Sequence, residues 1–113
     1  MNSSNLRDRS CTPQHGAPLA RAAAEALLTE IPGWELDPDA VTIRRQFKFG
    51  NYYETLAFVN ALAWIVHHED HHPTLEVSYN RCTVRFSTHS VKGLSENDFI
   101  CAAKINALRG AAT

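Results

Sequence analysis

Hydrophobic residues recur with two different periods along the chain, and each period predicts one kind of element. A spacing of three and four residues gives a helix one buried face, and this spacing is clearest in the middle of the chain. The stripe there consists of Leu56, Val59, Ala63 and Val66, widened by Leu62 and Ile65. Good helix formers mark an earlier helix, and the capping-box pattern Ser95-Glu-Asn-Asp98 marks a later one. The predicted helices cover residues 19–30, 52 to about 70, and 96–108.

Strict alternation of apolar and polar residues predicts four strands, which pair as two hairpins. The longest strand has one apolar face with a single unexpected member, Arg45. That face consists of Val41, Ile43, Arg45, Phe47 and Phe49. The predicted strands cover residues 34–36, 41–49, 75–79 and 82–87, with turns at 37–40 and 80–81.

The order of these elements is helix, two strands, helix, two strands, helix. It predicts an α+β fold, in which a four-stranded antiparallel sheet carries three helices packed on one face (α-β-β-α-β-β-α). Residues 1–17 mix Ser, Asn, Arg, Pro and Gly without apolar periodicity, so we expect a flexible N-terminal arm before a single domain at 18–113. A sheet of four strands has two edges, and pairing of one edge across a two-fold axis would make a homodimer.

Composition narrows the classes of function. A net charge of −1 argues against binding of nucleic acid through bulk electrostatics. The longest strongly apolar stretch, residues 62–66, is too short to span a bilayer, and the start of the chain lacks the apolar segment of a secretory signal. Three cysteines (Cys11, Cys82 and Cys101) without a C-x-x-C pair suggest reduced thiols. We therefore expect a cytoplasmic protein that binds neither nucleic acid nor membrane.

Histidine is concentrated where the second predicted helix ends. Four of the six histidines lie within His67-His-Glu-Asp-His-His72, and Pro73 prevents the helix from continuing much past His71. In helical geometry His67 and His71 share a face, as do His68 and His72. Imidazole has an ordinary pKa of roughly 6.5, so it can give or take a proton near neutral pH.

Three interpretations of the cluster compete. The first is a solvated helix end on which cationic side chains favour the C-terminal dipole. The second is a zinc site, because His68-Glu-Asp-His-His72 matches H-E-x-x-H. That signature needs both histidines on a continuing helix, which Pro73 prevents, so we expect no metal. The third is acid–base catalysis without a metal.

The wider pattern favours the third interpretation. The stretch His67-x-x-x-His71-His72-Pro73, followed by Tyr79, His89 and Asp98, resembles the signature of the pterin-4a-carbinolamine dehydratases. The resemblance covers roughly residues 19–108. It includes Ile31-Pro-Gly-Trp-Glu-Leu36 and Ser87-Thr-His-Ser-Val-Lys-Gly-Leu-Ser-Glu-Asn-Asp98.

The resemblance implies an enzyme that dehydrates 4a-hydroxytetrahydropterin, the 4a-carbinolamine, to quinonoid dihydropterin in tetrahydropterin recycling. Such a 4a-hydroxytetrahydrobiopterin dehydratase is a hydro-lyase without cofactor or metal. An aromatic amino-acid hydroxylase in the same pathway is an expected functional partner, and a homodimer or homotetramer is the expected assembly.

The resemblance also assigns residues. It implies that His71, His72 and His89 are catalytic, with His71 and His89 in proton transfer and His72 mainly in substrate orientation. The residues expected to bind substrate are His67, Ser87, Thr88 and Asp98. Tyr79 is expected to be a packed aromatic.

Two positions depart from the family's pattern, and one rival function shares the fold. His67 stands where many members have Glu. Leu75, two residues after Pro73, stands where the family's pattern has an aromatic residue. Some relatives with this fold act as dimerisation cofactors of a transcription factor, and others, with eroded catalytic residues, resemble Rubisco assembly factors. All three core histidines and the following Asp are present here, which favours the enzyme over a non-catalytic binding module.

Overall fold

The computed structural model describes residues 5–109, which contain three α-helices and four strands. The elements are α1 (Arg21–Leu28), β1 (Glu35–Leu36), β2 (Ile43–Lys48), α2 (Tyr52–Glu69), β3 (Thr74–Val77), β4 (Arg81–Phe86) and α3 (Glu96–Arg109), with 3-10 turns at Leu6–Asp8 and His89–Val91. Every predicted helix and strand is present, and most bounds differ from the prediction by one or two residues. None of the described helices combines the length and apolar character needed to cross a membrane.

The four strands form one antiparallel sheet in the order β1-β2-β4-β3. The two hairpins join through the central pair β2 and β4, which stay in register from Ile43 opposite Phe86 to Lys48 opposite Arg81. One face of this central pair carries the buried apolar side chains, because apolar and polar residues alternate in both strands. That face comprises Ile43, Arg45, Phe47, Cys82, Val84 and Phe86. The predicted α+β fold is confirmed.

The helices bury their apolar faces in one core with this side of the sheet. The buried stripe of α2 differs from the predicted one: Ala63 is exposed, and Thr55 and Phe58 are buried instead. The whole buried set of α2 is Thr55, Phe58, Leu62, Ile65 and Val66. Apolar residues surround this helix on nearly every side, so their spacing alone did not define which face turns inward.

The unexpected Arg45 lies at the rim of the core. Its guanidinium group covers the ring of Phe47 at 4.4 Å from the centroid and donates to the side-chain oxygen of Asn106 at 2.7 Å. Gly33 packs against the same group with a φ of +90°. An Arg on the apolar face is therefore accommodated by a cation–π contact and hydrogen bonds.

The β3–β4 turn lies one residue earlier than the sequence predicted. The backbone N–H of Ser78 donates to the carbonyl oxygen of Arg81 at 2.9 Å, so Tyr79 and Asn80 are the two central residues. Tyr79 is 64% exposed and stacks on Tyr52, with 6.4 Å between ring centroids. The predicted packed aromatic is thus a turn residue, paired with the first residue of α2.

The described part of the predicted N-terminal arm, residues 5–17, makes many contacts with α3. Leu6 is only 2% exposed, and Arg9 pairs with Glu96 at 2.6 Å. The backbone N–H of Thr12 donates to the side chain of Asn97 at 3.1 Å. We name residues 5–14 the N-terminal strap. The prediction of a loose arm did not include these contacts, since their partners lie about 90 residues away and leave no local pattern.

Candidate active site

The end of α2 sets the position of His71. Asp70 adopts the left-handed conformation, with φ 55° and ψ 44°, and ends the helix. The N–H of His71 then reaches back to the carbonyl oxygen of Val66 at 3.1 Å, as in a Schellman-type cap. The helix therefore finishes within one residue of the predicted point, and His71 is the second residue after Glu69.

His71 and Asp98 form a close pair between α2 and α3. The Nε2 atom of His71 lies 2.6 Å from Oδ1 of Asp98. The Asp98 side chain is fully buried, whereas the His71 side chain is 11% exposed. The His71 ring stacks on Phe86 of β4, with 5.6 Å between centroids and 7° between planes. A carboxylate only accepts, so the imidazole donates from Nε2 and keeps Nδ1 for other partners.

The second oxygen of Asp98 is also fully used. Oδ2 accepts from the hydroxyl of Thr88 at 2.8 Å and from the backbone N–H of Ser95 at 3.0 Å. Because Thr88 gives its one hydrogen to Asp98, the hydroxyl of Ser95, 2.7 Å away, must donate to Thr88. The Ser95 oxygen in turn accepts from the N–H of Asn97 at 3.2 Å. The capping box predicted at Ser95–Asp98 is confirmed, and its carboxylate also holds His71.

A short loop after β4 presents His89. Thr88 and Gly93 form an isolated antiparallel bridge, in which the backbone N–H of Thr88 donates to the carbonyl oxygen of Gly93 at 2.7 Å. The 3-10 turn of His89–Val91 spans this bridge and ends at Lys92, whose φ is +57°. Thr88 bonds to the buried Asp98, whereas the next residue in the chain, His89, is exposed.

The structure brings three of the predicted site residues into direct contact: His71, Thr88 and Asp98. The other four, His67, His72, Ser87 and His89, are all exposed. His72 and His89 each adjoin a member of the bonded group, and His67 lies on the last turn of α2. Thr88 was predicted to bind substrate, and its buried hydroxyl is engaged with Asp98 and Ser95.

The H-E-x-x-H match does not form a helical pair of histidines. His68 lies within α2 and stacks on the exposed Trp64 at 5.1 Å, whereas His72 follows the left-handed Asp70. The two rings are therefore not on consecutive turns of one helix, which that signature requires.

A cavity of about 540 Å³ lies farther along α3. Its lining includes Arg7, Arg45 and Asn106, and none of the seven predicted site residues contributes to it. Asn106 is eight residues beyond Asp98, a distance of roughly 12 Å along a helix. The histidines therefore belong to a different surface from this cavity.

The sequence of the chain matches a known family. The model of the family described as pterin 4 alpha carbinolamine dehydratase matches residues 17–108, which include every predicted site residue. The chain belongs to this family. A Stenotrophomonas maltophilia (strain R551-3) relative, named "Putative pterin-4-alpha-carbinolamine dehydratase", is 58% identical over 105 residues, covering 91% of this chain and 90% of the relative.

One further relative has the same name, and two solved structures share the fold. A Chromobacterium violaceum protein with the same name is 55% identical, covering 92% of this chain and 95% of the relative. The crystal structure of a transcriptional coactivator/pterin dehydratase from Brucella melitensis matches with a TM-score of 0.78 and 32% identity, over 82% of this chain and 99% of that one. A pterin dehydratase-like protein identified as a RuBisCO assembly factor of the alpha-carboxysome has a TM-score of 0.60 at 24% identity, over 69% and 90% of the two chains, and shows the fold alone.

Two features of the site lay outside the sequence interpretation. The ring of Phe86 supports His71, and the hydroxyl of Ser95 completes the chain of hydrogen bonds to Asp98. The alternation in β4 indicates that Phe86 is buried, and the capping pattern singles out Ser95. Neither signal shows that the two side chains converge on one histidine.

Proposed function

We propose that this chain catalyses the dehydration of 4a-hydroxytetrahydropterin to quinonoid dihydropterin by histidine acid–base catalysis. The single observation that carries the proposal is the pair of His71 with the buried Asp98, inside a chain of the dehydratase family. A buried carboxylate fixes which ring nitrogen of the histidine carries hydrogen, and thereby orients the other nitrogen for proton transfer.

The reaction needs one acid and one base. The hydroxyl on C4a leaves as water once it is protonated, and a ring nitrogen loses a proton as the new double bond forms. We assign proton transfer to His71 and His89, and substrate orientation mainly to His72. In this scheme Nδ1 of His71 exchanges the proton, because Nε2 is held by Asp98. No step in this scheme calls for a metal or a redox cofactor.

The exposure of the side chains around His71, Thr88 and Asp98 supports a proposal for how the substrate binds. His72 and His89 are exposed next to His71 and Thr88, so a flat pterin ring would lie on the surface between the two segments. His67 and Ser87, also exposed, would lie at its margin. Asp98 is fully buried, so its part is to position His71 rather than to contact the ring. Thr88 acts in the same way through Asp98.

The physiological setting is part of the same proposal. We assign tetrahydrobiopterin as the parent of the natural substrate and tetrahydropterin recycling as the pathway. An aromatic amino-acid hydroxylase would supply the carbinolamine in the cytoplasm. We expect the working assembly to be a homodimer or a homotetramer.

The test is a stopped-flow assay of carbinolamine dehydration with the full chain. We expect a rate above the buffer rate, and a loss of at least tenfold in His72→Ala and in His89→Ala, about 1.4 kcal/mol of transition-state stabilisation each. His68→Ala is the matched control, since His68 stacks on Trp64 and has no assigned role. A folded protein no faster than buffer would leave the rival function, a non-catalytic binding module. Normal rates in both variants would refute the site assignment.

A further inference from the structure

Two of the three free cysteines lie against each other where the N-terminal strap meets α3. The Sγ atoms of Cys11 and Cys101 are 3.6 Å apart. Cys101 is fully buried in α3, whereas Cys11 in the strap is partly exposed. The Cys11 thiol also donates to the carbonyl oxygen of Asn97 at 3.6 Å, so the Cys101 thiol is the donor between the two sulfurs.

We propose that Cys11 and Cys101 are a reversible modification site, at which an intramolecular disulfide joins the N-terminal strap to α3. A disulfide requires about 2.05 Å between the sulfurs, so they must approach by roughly 1.5 Å. The strap can supply that movement, because Cys11 lies outside regular secondary structure. Cys101 is held within the helix.

The chemistry proceeds in two steps with a peroxide as the oxidant. The Cys11 thiolate attacks one oxygen of hydrogen peroxide, breaking the O–O bond, and becomes a sulfenic acid as hydroxide leaves and is protonated to water. The Cys101 sulfur then attacks the Cys11 sulfur, loses its proton and releases a second water. Two thiols and one peroxide give one disulfide and two waters, and the two electrons come from the sulfurs.

The environment decides which thiol reacts first. The hydrogen bond with Cys11 and burial together raise the pKa of Cys101 well above its usual range. The thiolate is the nucleophile, so Cys101 is a poor first target and the partly exposed Cys11 is the entry point. Cys82 is a third thiol in the core, and burial raises its pKa to about 11, so it should stay reduced.

The location gives the disulfide a structural consequence. Cys101 lies one helical turn after Asp98, on the same element. The strap already bonds to Glu69, Asn97 and Ser90, each within two residues of His71, Asp98 or His89. A covalent link at Cys11 would hold the strap against all three segments of the candidate site.

The experiment treats the reduced full chain with a small excess of hydrogen peroxide and measures its intact mass. We expect a loss of about 2 Da, reversed by dithiothreitol. Trypsin separates the three cysteines, and peptides 10–21 and 93–104 should be found linked, with peptide 82–85 carrying a free thiol. Thermal melting of the oxidised chain should rise by at least about 5 °C, because the link closes a long loop.

Variants distinguish this site from other oxidations. Cys82→Ala should keep the 2 Da loss, and Cys11→Ser should abolish it along with the melting shift. Cys101→Ala should also abolish it, and should leave Cys11 as a sulfenic or sulfinic acid. The proposal is overturned if the reduced wild type gains oxygen on Cys11 without a link, forms only disulfides between chains, or remains unmodified.

Discussion

Asp98 is fully buried and has a donor for each carboxylate oxygen. His71 occupies Oδ1, while Thr88 and Ser95 occupy Oδ2. A side chain held at both oxygens cannot rotate without breaking several hydrogen bonds, and each broken bond leaves a buried group unsatisfied. The orientation of the His71 ring follows from this rigidity and from the Phe86 ring beneath it.

Asp98→Asn tests whether the carboxylate orients the His71 ring, because it replaces a single oxygen atom by an NH2 group. The amide keeps the shape of the carboxylate, but an NH2 group, which only donates, replaces one of the two accepting oxygens. Either His71, or Thr88 and Ser95 together, then lose their acceptor. We expect the dehydration rate to fall at least a hundredfold, about 2.7 kcal/mol in activation free energy, measured by stopped flow. Asp8→Asn, at an exposed carboxylate, is the control. A rate within twofold of wild type in Asp98→Asn would show that the pair does not orient the imidazole.

Thr88 gives a second test, with its own rescue. Thr88→Val preserves the shape but removes the hydroxyl that connects Ser95 to Asp98. We expect a loss of about 1–3 kcal/mol in the free energy of unfolding, measured by urea denaturation, together with a slower dehydration rate. Thr88→Ser keeps the hydroxyl and should recover most of both. Equal behaviour of the two variants would contradict a role for the hydrogen bond.

At this scale the sequence predicted three residues that the structure brings together, but it did not predict their contacts. His71, Thr88 and Asp98 were all expected in the site, and the structure joins them by hydrogen bonds. Their pairing was not predicted, because the residues are separated by 10 to 27 positions and no local pattern spans such distances. The sequence predicted that Thr88 and Asp98 bind substrate; because both side chains are buried, the proposed function assigns them the positioning of His71 instead.

The end of α2 depends on one residue in an unusual conformation. Asp70 has a positive φ, which costs a residue with a Cβ more than it costs glycine. We expect Asp70→Gly to raise the free energy of unfolding by up to about 1 kcal/mol, and Asp70→Val to lower it by about 1–2 kcal/mol. Chemical denaturation of the three proteins measures both effects. A valine variant as stable as the glycine variant would mean that the chain leaves α2 by another conformation.

The periodicity of apolar residues predicted which helices and strands form. It predicted the buried face of α2 and the position of the β3–β4 turn less well. The end of α2 was predictable because Pro73 excludes a longer helix. The inward face of α2 was not, because apolar residues occur around most of its circumference. The β3–β4 turn was placed one residue late, because Tyr79 continues the alternation of β3 and was therefore assigned to that strand.

Stability of the whole molecule should depend on pH in the alkaline range. Burial raises the pKa of Cys82 from 9.0 to about 11, and the hydrogen bond with Cys11 and burial also raise the pKa of Cys101. The unfolded chain releases these protons first, so the stabilisation is complete below pH 9 and is lost as pH rises from 9 towards 11. We expect a loss of roughly 2 kcal/mol from Cys82 over that window.

Denaturation curves at several pH values measure this loss. Cys82→Ala removes one titrating thiol, so its stability should fall less steeply above pH 9 than that of the wild type. Parallel slopes for the two proteins would exclude Cys82 as a contributor. The comparison uses slopes, because the substitution also changes packing in the core.

The contacts of the N-terminal strap were not predicted from the sequence. Its contacts join residues 7–14 to α3 and to the loop after His89 across more than 70 positions. The segment has no hydrophobic period of its own, and only Leu6 is buried in the core. Local sequence patterns indicate helices and strands. The path of this segment is instead determined by its contacts with α3 and with the loop after His89.

The ring of Phe86 is shared by two neighbours of different kinds. It packs against Trp34 in the core at 5.9 Å and against the His71 imidazole at 5.6 Å. The Phe86 ring therefore packs both in the core and against His71, the proposed proton carrier. Selection for heat resistance and selection for turnover therefore act on the same few atoms. A library optimised only for thermal stability around Trp34 will also vary the placement of that imidazole, so its members should be screened for both properties together.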